Sequence, residues 1–81
     1  MFSKFSMTYE VALKQIPIGR YRHFKGEEYE VIGIARHSET EEPMVVYRAL
    51  YGDGELWTRP ARMWNDEVVR DGKVCRRFDK I

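Results

Sequence analysis

The segment between Met44 and Pro60 constrains the fold of this chain more than any other part of the sequence. Two runs rich in β-branched, aromatic and aliphatic residues, 44–51 and 56–60, flank the turn sequence Gly-Asp-Gly-Glu. An Asp-Gly pair between two such runs is a strong signal for a β-hairpin, because glycine readily adopts the positive φ angle that tight turns require. The segment therefore predicts an antiparallel β module.

Further strands are predicted on both sides of this hairpin. Strand-like runs occur at 19–24, 28–38, 67–70 and 73–77. Glycine and acidic residues fill the connections, and Asp71-Gly72 favours a second two-residue hairpin turn. The chain is therefore expected to fold as consecutive antiparallel strands.

One short helix is predicted ahead of the strands, over residues 8–16. Thr8 is a competent N-cap, and apolar residues recur at helical spacing at Tyr9, Ala12, Leu13 and Ile16. Pro17 ends the helix. A helix of this length is marginal in water, so its apolar side is expected to rest on the sheet.

These elements predict a mostly β fold, namely a small SH3-like antiparallel barrel with a short N-terminal helix. A chain of 81 residues has room for one small domain. Residues 1–18 are predicted to form an N-terminal extension and the helix, and residues 19–81 the barrel. Residues 61–65 have room for one helical turn, from which Trp64 is expected to plug one end of the barrel.

Net charge, cysteine content and the lack of long apolar stretches argue against several classes of function. The net charge of +1 argues against strong nonspecific attraction to phosphate backbones. Cys75 is the single cysteine, so an intramolecular disulfide is impossible and nothing indicates an oxidising compartment. The sequence contains neither the apolar stretch of a signal peptide nor a segment long enough to span a bilayer. A cytoplasmic protein without a membrane partner is expected.

Strand alternation and the hairpin connection predict which side chains share a face. A two- or four-residue connection places Arg48 directly opposite Arg59, and continuing through the loop 39–43 places Ile34 opposite Arg48. One face is then expected to carry Ile32, Ile34, Arg36, Val46, Arg48, Leu50, Trp57 and Arg59. The other face, expected to line the barrel, carries Tyr29, Val31, Gly33, Ala35, His37, Val45, Tyr47, Ala49, Tyr51, Leu56 and Thr58.

The predicted pairing of Arg48 with Arg59 brings like charges together, which is unfavourable unless an acidic group lies between them. Two interpretations stay open. In the first, Glu30 or a neighbouring carboxylate bridges the guanidinium groups while the helix covers the apolar residues. In the second, the arginines and Trp57 form an anion or nucleotide site, because guanidinium matches phosphate and indole offers a stacking plane. The candidate ligand-binding residues are Arg36, His37, Arg48, Trp57 and Arg59.

Catalytic and metal motifs are weak in this sequence. His23, His37 and Cys75 lack the close spacing of a zinc site, and no metal or cofactor is expected. Both histidines are better explained by structural roles, His37 by turn formation. Ser38 follows His37 directly, but adjacent strand residues point to opposite faces, so the pair is not a nucleophile with its base. An enzyme is the less favoured class.

Several motifs, in order, resemble a known family. They are Gly19-x-Tyr21-x-His23-Phe24-Lys25-Gly26, Tyr29-Glu30-Val31-x-Gly33-Ile34-Ala35-x-His37-Ser38-Glu39-Thr40, Val45-Val46-Tyr47-x-Ala49-Leu50-Tyr51-Gly52, Trp57-x-Arg59-Pro60 and Arg77-Phe78. Over residues 19–78 the chain closely resembles a small bacterial family called domain of unknown function 1653, in which Trp64 is often replaced by phenylalanine. The resemblance implies a compact β-rich domain and no activity, cofactor or catalytic residue. It draws attention to His23, Tyr47, Tyr51, Trp57 and Arg59.

The sequence therefore favours a noncatalytic binding module for a protein segment or for an anionic ligand such as a nucleotide. Two other classes stay open. One is a small hydrolase or nucleotide-processing accessory that uses His23 or His37, and the other is a homodimer formed through exposed edge strands. Contact with nucleic acid through the basic stretch 73–80 is only weakly indicated.

Overall fold

The computed structural model describes residues 7–81 and contains one helix, one short 3-10 turn and seven strands in that part of the chain. The helix α1 is Tyr9–Gln15 and the 3-10 turn is Ala61–Met63. The strands are β1 Gly19–His23, β2 Glu28–Arg36, β3 Pro43–Ala49, β4 Leu56–Pro60, β5 Glu67–Arg70, β6 Lys73–Arg76 and β7 Phe78–Lys80. The extension predicted for residues 1–6 lies outside the described residues.

The strands form a five-stranded antiparallel sheet in the order β4-β3-β2-β1-β7 and a separate hairpin of β5 and β6. The predicted mostly β fold with one short helix is confirmed, whereas β7 was not predicted. No ladder joins β4 to β7 anywhere in residues 7–81, so a closed SH3-like barrel is not found there.

The helix begins at an N-cap and packs on the core. The Thr8 hydroxyl accepts a hydrogen bond from the Val11 amide at 3.2 Å, which satisfies one of the free donors of the first turn. Ala12 and Ile16 are buried in the core, as predicted. Leu13 is instead half exposed, so the helix contacts the sheet through a narrower stripe than the sequence pattern indicates.

The core lies on one face of the sheet, which we call the inner face, and α1 packs against it. Trp64 is completely buried, as predicted. Its ring stacks on Phe78 with the ring centroids 3.9 Å apart, and it meets Tyr21 and Tyr47 edge to face. These three partners come from β7, β1 and β3, so the Trp64 side chain contacts three of the five strands of the sheet. The buried residues of the core cluster are Ala12, Ile16, Tyr21, Val31, Val45, Tyr47, Ala61, Trp64 and Phe78.

The register of β3 and β4 differs from the prediction. Arg48 lies opposite Leu56 and not opposite Arg59, which pairs with Val45. The reason is the loop: the Ala49 amide donates to the Glu55 carbonyl at 3.0 Å, which leaves residues 50–54 as a five-residue connection. A connection with an odd number of residues shifts the pairing by an odd number, and such a shift exchanges the two faces of β4.

The pairing of β2 with β3 also differs, because β2 contains a bulge between Val31 and Gly33. Glu30, and not Ile34, lies opposite Arg48, while Ile34 pairs with Val45. The extra residue lets Val31 and Ile34 both face the core although three positions separate them. The predicted assignment of Ile34 to the face of Arg48 is therefore wrong.

Candidate functional site

The structure separates the five predicted ligand-binding residues into three places. Arg48 is on the outer face of the sheet, where its guanidinium donates to the Gly54 carbonyl at 3.0 Å and supports the hairpin loop. Glu30 lies beside it across the strands, but no ion pair of Glu30 with Arg48 or Arg59 occurs among the described residues. The predicted carboxylate bridge is therefore absent there.

Arg36 and His37 lie at the end of β2 that approaches α1. The Arg36 guanidinium carbon is 4.3 Å from the centre of the Tyr9 ring, a cation–π contact that connects strand and helix. The His37 Nδ1 atom accepts hydrogen bonds from the amides of Glu39 and Thr40 at 3.1 and 3.3 Å. The turn role predicted for His37 is confirmed.

Trp57 and Arg59 share the inner face because of the shifted register. Trp57 pairs with Tyr47 and remains 49 % exposed, so its indole is accessible from solvent. The Arg59 guanidinium carbon lies 6.0 Å from the centre of the Phe78 ring. Its Nε atom is buried and has no hydrogen-bond partner, and no carboxylate pairs with Arg59 within residues 7–81.

Arg77 resembles Arg59 in one respect, a buried Nε atom without a hydrogen-bond partner. Its backbone is fixed on both sides, since its amide donates to the Asp66 carbonyl at 2.8 Å and its carbonyl accepts from the Phe24 amide at 2.9 Å. Its Nε atom is nevertheless buried without a hydrogen-bond partner. The three ion pairs of the described chain involve other arginines, namely Arg20 and Arg22 with Glu28 and Arg62 with Glu42.

His23 lies among these cations. It pairs with Phe78 across β1 and β7, and the two rings are 5.0 Å apart, edge to face. Burial lowers the pKa of His23, and the positive charges of Arg77, Lys25 and Arg59 lower it further, while Glu27 acts in the opposite direction. Its Nδ1 atom accepts from the Lys25 amide at 3.2 Å, which leaves the proton of the neutral ring on Nε2.

We call His23, Arg59 and Arg77 the basic cluster. Arg59 extends from β4, His23 belongs to β1, and Arg77 immediately precedes β7. Sequence reasoning singled out two of these residues and missed Arg77, since the short strand after it carries little pattern of its own. The available signals were the motif Arg77-Phe78 and the basic stretch 73–80.

Aromatic residues extend from the basic cluster to the hairpin loop. The hydroxyls of Tyr29 and Tyr51 are 2.8 Å apart, and burial together with this hydrogen bond raises the pKa of Tyr29. Tyr51 and Trp57 also line a surface cavity of about 190 Å³ whose other walls are Ala49, Gly52, Asp53 and Glu55. The inner face thus carries an open cavity with two aromatic walls, and one of them, Trp57, is two positions from Arg59 on the same strand.

Both histidines of the described residues contact backbone amides. Neither imidazole pairs with a carboxylate there, and both Nδ1 atoms already accept from backbone amides. No three His, Cys, Asp or Glu side chains of residues 7–81 are grouped as metal ligands would be. None of the helical segments in this range has the length and apolar character to traverse a bilayer.

The comparisons with known proteins agree on one family. A family model with the description "Protein of unknown function (DUF1653)" matches residues 19–80. The chain is similar to a protein of known crystal structure from Bordetella bronchiseptica that belongs to DUF1653. The two are 37 % identical, with a TM-score of 0.78, over 85 % of this chain and 91 % of that chain. The comparison with curated proteins gives no match.

Proposed function

This chain belongs to the DUF1653 family, as its ordered motifs predicted, and from that premise we propose that it is a noncatalytic binding module for an anionic ligand. The proposed contact surface is the inner face at Trp57 and Arg59. The observation that carries the proposal is the buried Arg59 Nε without an acceptor, two positions from an accessible indole on the same face. A buried donor without a partner costs free energy that an anionic acceptor would recover.

A nucleotide fits this surface better than a simple anion. Trp57 offers a flat aromatic ring for stacking, and the cavity beside it has walls of both aromatic and acidic residues. Asp53 and Glu55 supply acceptors for the amino groups of a base, while Arg59 supplies a donor for a phosphate. The proposed ligand therefore combines a planar ring with a negatively charged group.

Binding, and not turnover, is proposed because the histidines are already engaged. His23 and His37 each use Nδ1 to hold a turn, and neither meets a carboxylate that would orient it as a general base within residues 7–81. A hydrolase needs such a base close to its substrate. The hydrolase alternative has no comparable geometric support.

We also propose that the curled sheet is a variant of the SH3-like barrel. Arg59 of β4 approaches Phe78 of β7, so residues from opposite edges of the sheet come close, and Trp64 packs on Phe78 between them. A cytoplasmic location is part of the same proposal, since the free thiol of Cys75 suits a reducing compartment.

The decisive experiment compares two arginine variants with the same charge change. Arg59→Gln is expected to weaken ADP binding about tenfold, the size typical of one lost charge-assisted hydrogen bond. Arg20→Gln is the matched control, because Arg20 is exposed and paired with Glu28. Its affinity for ADP is expected to stay within about twofold of the wild type, since an exposed ion pair contributes little. Calorimetric titration at fixed ionic strength measures both.

Trp57 provides an independent readout of the same binding event. ADP is expected to quench the indole fluorescence of the wild type, whereas Trp57→Phe, which keeps the buried Trp64, should show no quenching. If ADP does not bind the wild type, the proposal is wrong. It is also wrong if Arg20→Gln and Arg59→Gln lose affinity for ADP equally.

A further inference from the structure

The basic cluster lacks a negative partner. Arg59 and Arg77 each bury an Nε–H donor without an acceptor, and neither forms an ion pair in the described part of the chain. Their charges, with that of Lys25, act on the same imidazole, and Glu27 is the one acidic group that opposes them there. Like charges held together and unmade hydrogen bonds both raise the free energy of this part of the fold.

We infer that His23, Arg59 and Arg77 together form a phosphate-binding site, so that the ligand is a small phosphate ester with a planar ring. The inference rests on the proposed function and adds His23 and Arg77 to Arg59 as the residues that hold the phosphate. The phosphate lies among the two guanidinium groups and the imidazole, and the ring of the ligand lies toward Trp57.

The chemistry of the three side chains suits phosphate. A guanidinium presents a planar set of donors that matches two oxygens of a phosphate, and the unused Nε–H belongs to that set. The Lys25 amide holds His23 in the tautomer with Nε2–H, so the neutral imidazole is also a donor. Tetrahedral phosphate has enough oxygens to accept from all three side chains, whereas a carboxylate has two.

Contacts within the protein hold the backbone of the basic cluster and the imidazole of His23. Arg77 is held by backbone hydrogen bonds to Asp66 and Phe24, and His23 by the Lys25 amide and the Phe78 ring. Arg59 extends from a strand that is paired over its whole length with β3. A fixed backbone and a fixed imidazole reduce the conformational entropy that binding costs, which favours a specific site over diffuse attraction.

The test measures binding of ADP, adenosine and inorganic phosphate to the whole chain by calorimetry at constant ionic strength. We expect ADP and phosphate to bind and adenosine to bind at least about tenfold more weakly than ADP. Arg77→Gln and His23→Asn should each weaken ADP and phosphate binding, Arg77→Gln by about tenfold. Arg76→Gln is the matched control, since Arg76 is the exposed neighbour in the sequence and should change affinity less than about twofold.

The outcomes separate the two proposals. If Arg59→Gln weakens ADP binding but Arg77→Gln and His23→Asn do not, the phosphate site is wrong while the proposed function stands. If no nucleotide binds, both are wrong. Binding of a phosphoserine peptide without binding of ADP or inorganic phosphate would overturn the assignment to small phosphate esters.

A spectroscopic measurement on the wild type covers the case in which a variant does not fold. The Nε–Hε resonances of Arg59 and Arg77 are expected to shift on titration with inorganic phosphate, because these are the buried donors without acceptors. The resonance of Arg20 serves as the internal control. Unchanged Arg59 and Arg77 resonances at saturating phosphate would overturn the inference.

Discussion

At the scale of single residues, the inner face combines strong packing with incomplete hydrogen bonding. Trp64 is fully buried, yet its Nε1 atom, like the Nε atoms of Arg59 and Arg77, has no hydrogen-bond partner among the described residues. The indole stands edge to face with Tyr21 and Tyr47, whose rings can accept a weak N–H···π contact. The Arg59 guanidinium also lies near a ring, that of Phe78 at 6.0 Å, but as a cation it forms its strongest hydrogen bonds with a charged acceptor.

The environment of His23 makes a prediction about the pH dependence of folding. Burial and nearby cations lower the pKa of His23 in the folded protein below its ordinary value of 6.5. The unfolded chain therefore binds more protons than the folded protein below about pH 6.5. The contribution of His23 to the free energy of unfolding is fully present above that pH. It is lost as the pH falls through the lowered folded-state pKa.

His23→Asn should flatten this dependence, because asparagine does not titrate. The turn should be kept, since the asparagine side-chain oxygen can replace Nδ1 as acceptor for the Lys25 amide. Urea denaturation of both proteins between about pH 5 and 7.5 measures the difference. His37→Asn is the control variant, since His37 holds a turn in the same way without being part of the basic cluster. Equal pH slopes for the wild type and His23→Asn would contradict the account.

At the scale of elements, local signals predicted the structure well and pairing between strands was predicted poorly. Thr8 fixed the start of α1, and Asp71-Gly72 gave the β5–β6 hairpin, because capping and turn chemistry act within a few residues. The β3–β4 register depends instead on whether the loop holds an odd or even number of residues. The bulge in β2 is similarly decided by packing, since it lets Ile34 reach the core.

The difficulty of predicting strand pairing also explains why the candidate site was predicted only in part. The sequence identified Trp57 and Arg59 correctly as neighbours on one face but grouped them with Arg48, which the five-residue loop places on the other face. Arg77 was missed because its approach to His23 depends on β7 pairing with β1. Residue types indicated the chemistry, whereas the tertiary pairing decided which residues meet.

The five-residue loop makes its own prediction. Gly52 has a φ of 57° with open space around it, so Gly52→Ala meets no neighbour and is penalised only by its backbone conformation. We expect the free energy of unfolding to fall by about 1 kcal/mol. Gly33→Ala is the matched control, since Gly33 also has open space but no positive φ, and should be neutral or slightly stabilising. Denaturant titrations of both variants provide the comparison.

At the scale of the whole molecule, side chains bring residues from the two edge strands of the five-stranded sheet close together. Residues from β4 and β7 meet through Arg59 and Phe78, although no ladder joins these strands within residues 7–81. Ala12 of the helix and Ile16, the residue after it, belong to the same core cluster. The approach of Arg59 to His23 requires the sheet to curl, because β4 is three strands away from β1. Arg77 needs no curl, since the next residue, Phe78, pairs directly with His23.

Trp64 should contribute most to holding the strands of the sheet together. Its ring contacts Tyr21, Tyr47 and Phe78 on three different strands, so Trp64→Ala removes packing across the sheet as well as burial. We expect a loss of about 3–5 kcal/mol in the free energy of unfolding, the usual range for truncating a buried tryptophan. Trp64→Phe keeps a ring that can stack on Phe78 and should retain much more of that stability.

The comparison of these two variants also tests whether closure and site are coupled. If the curl brings the arginines together, Trp64→Ala should bind phosphate more weakly than the wild type even at temperatures where circular dichroism shows it folded. Trp64→Phe should bind with nearly wild-type affinity. Wild-type phosphate affinity in folded Trp64→Ala would mean that the basic cluster forms independently of the core, and the sheet's curvature would then serve stability alone.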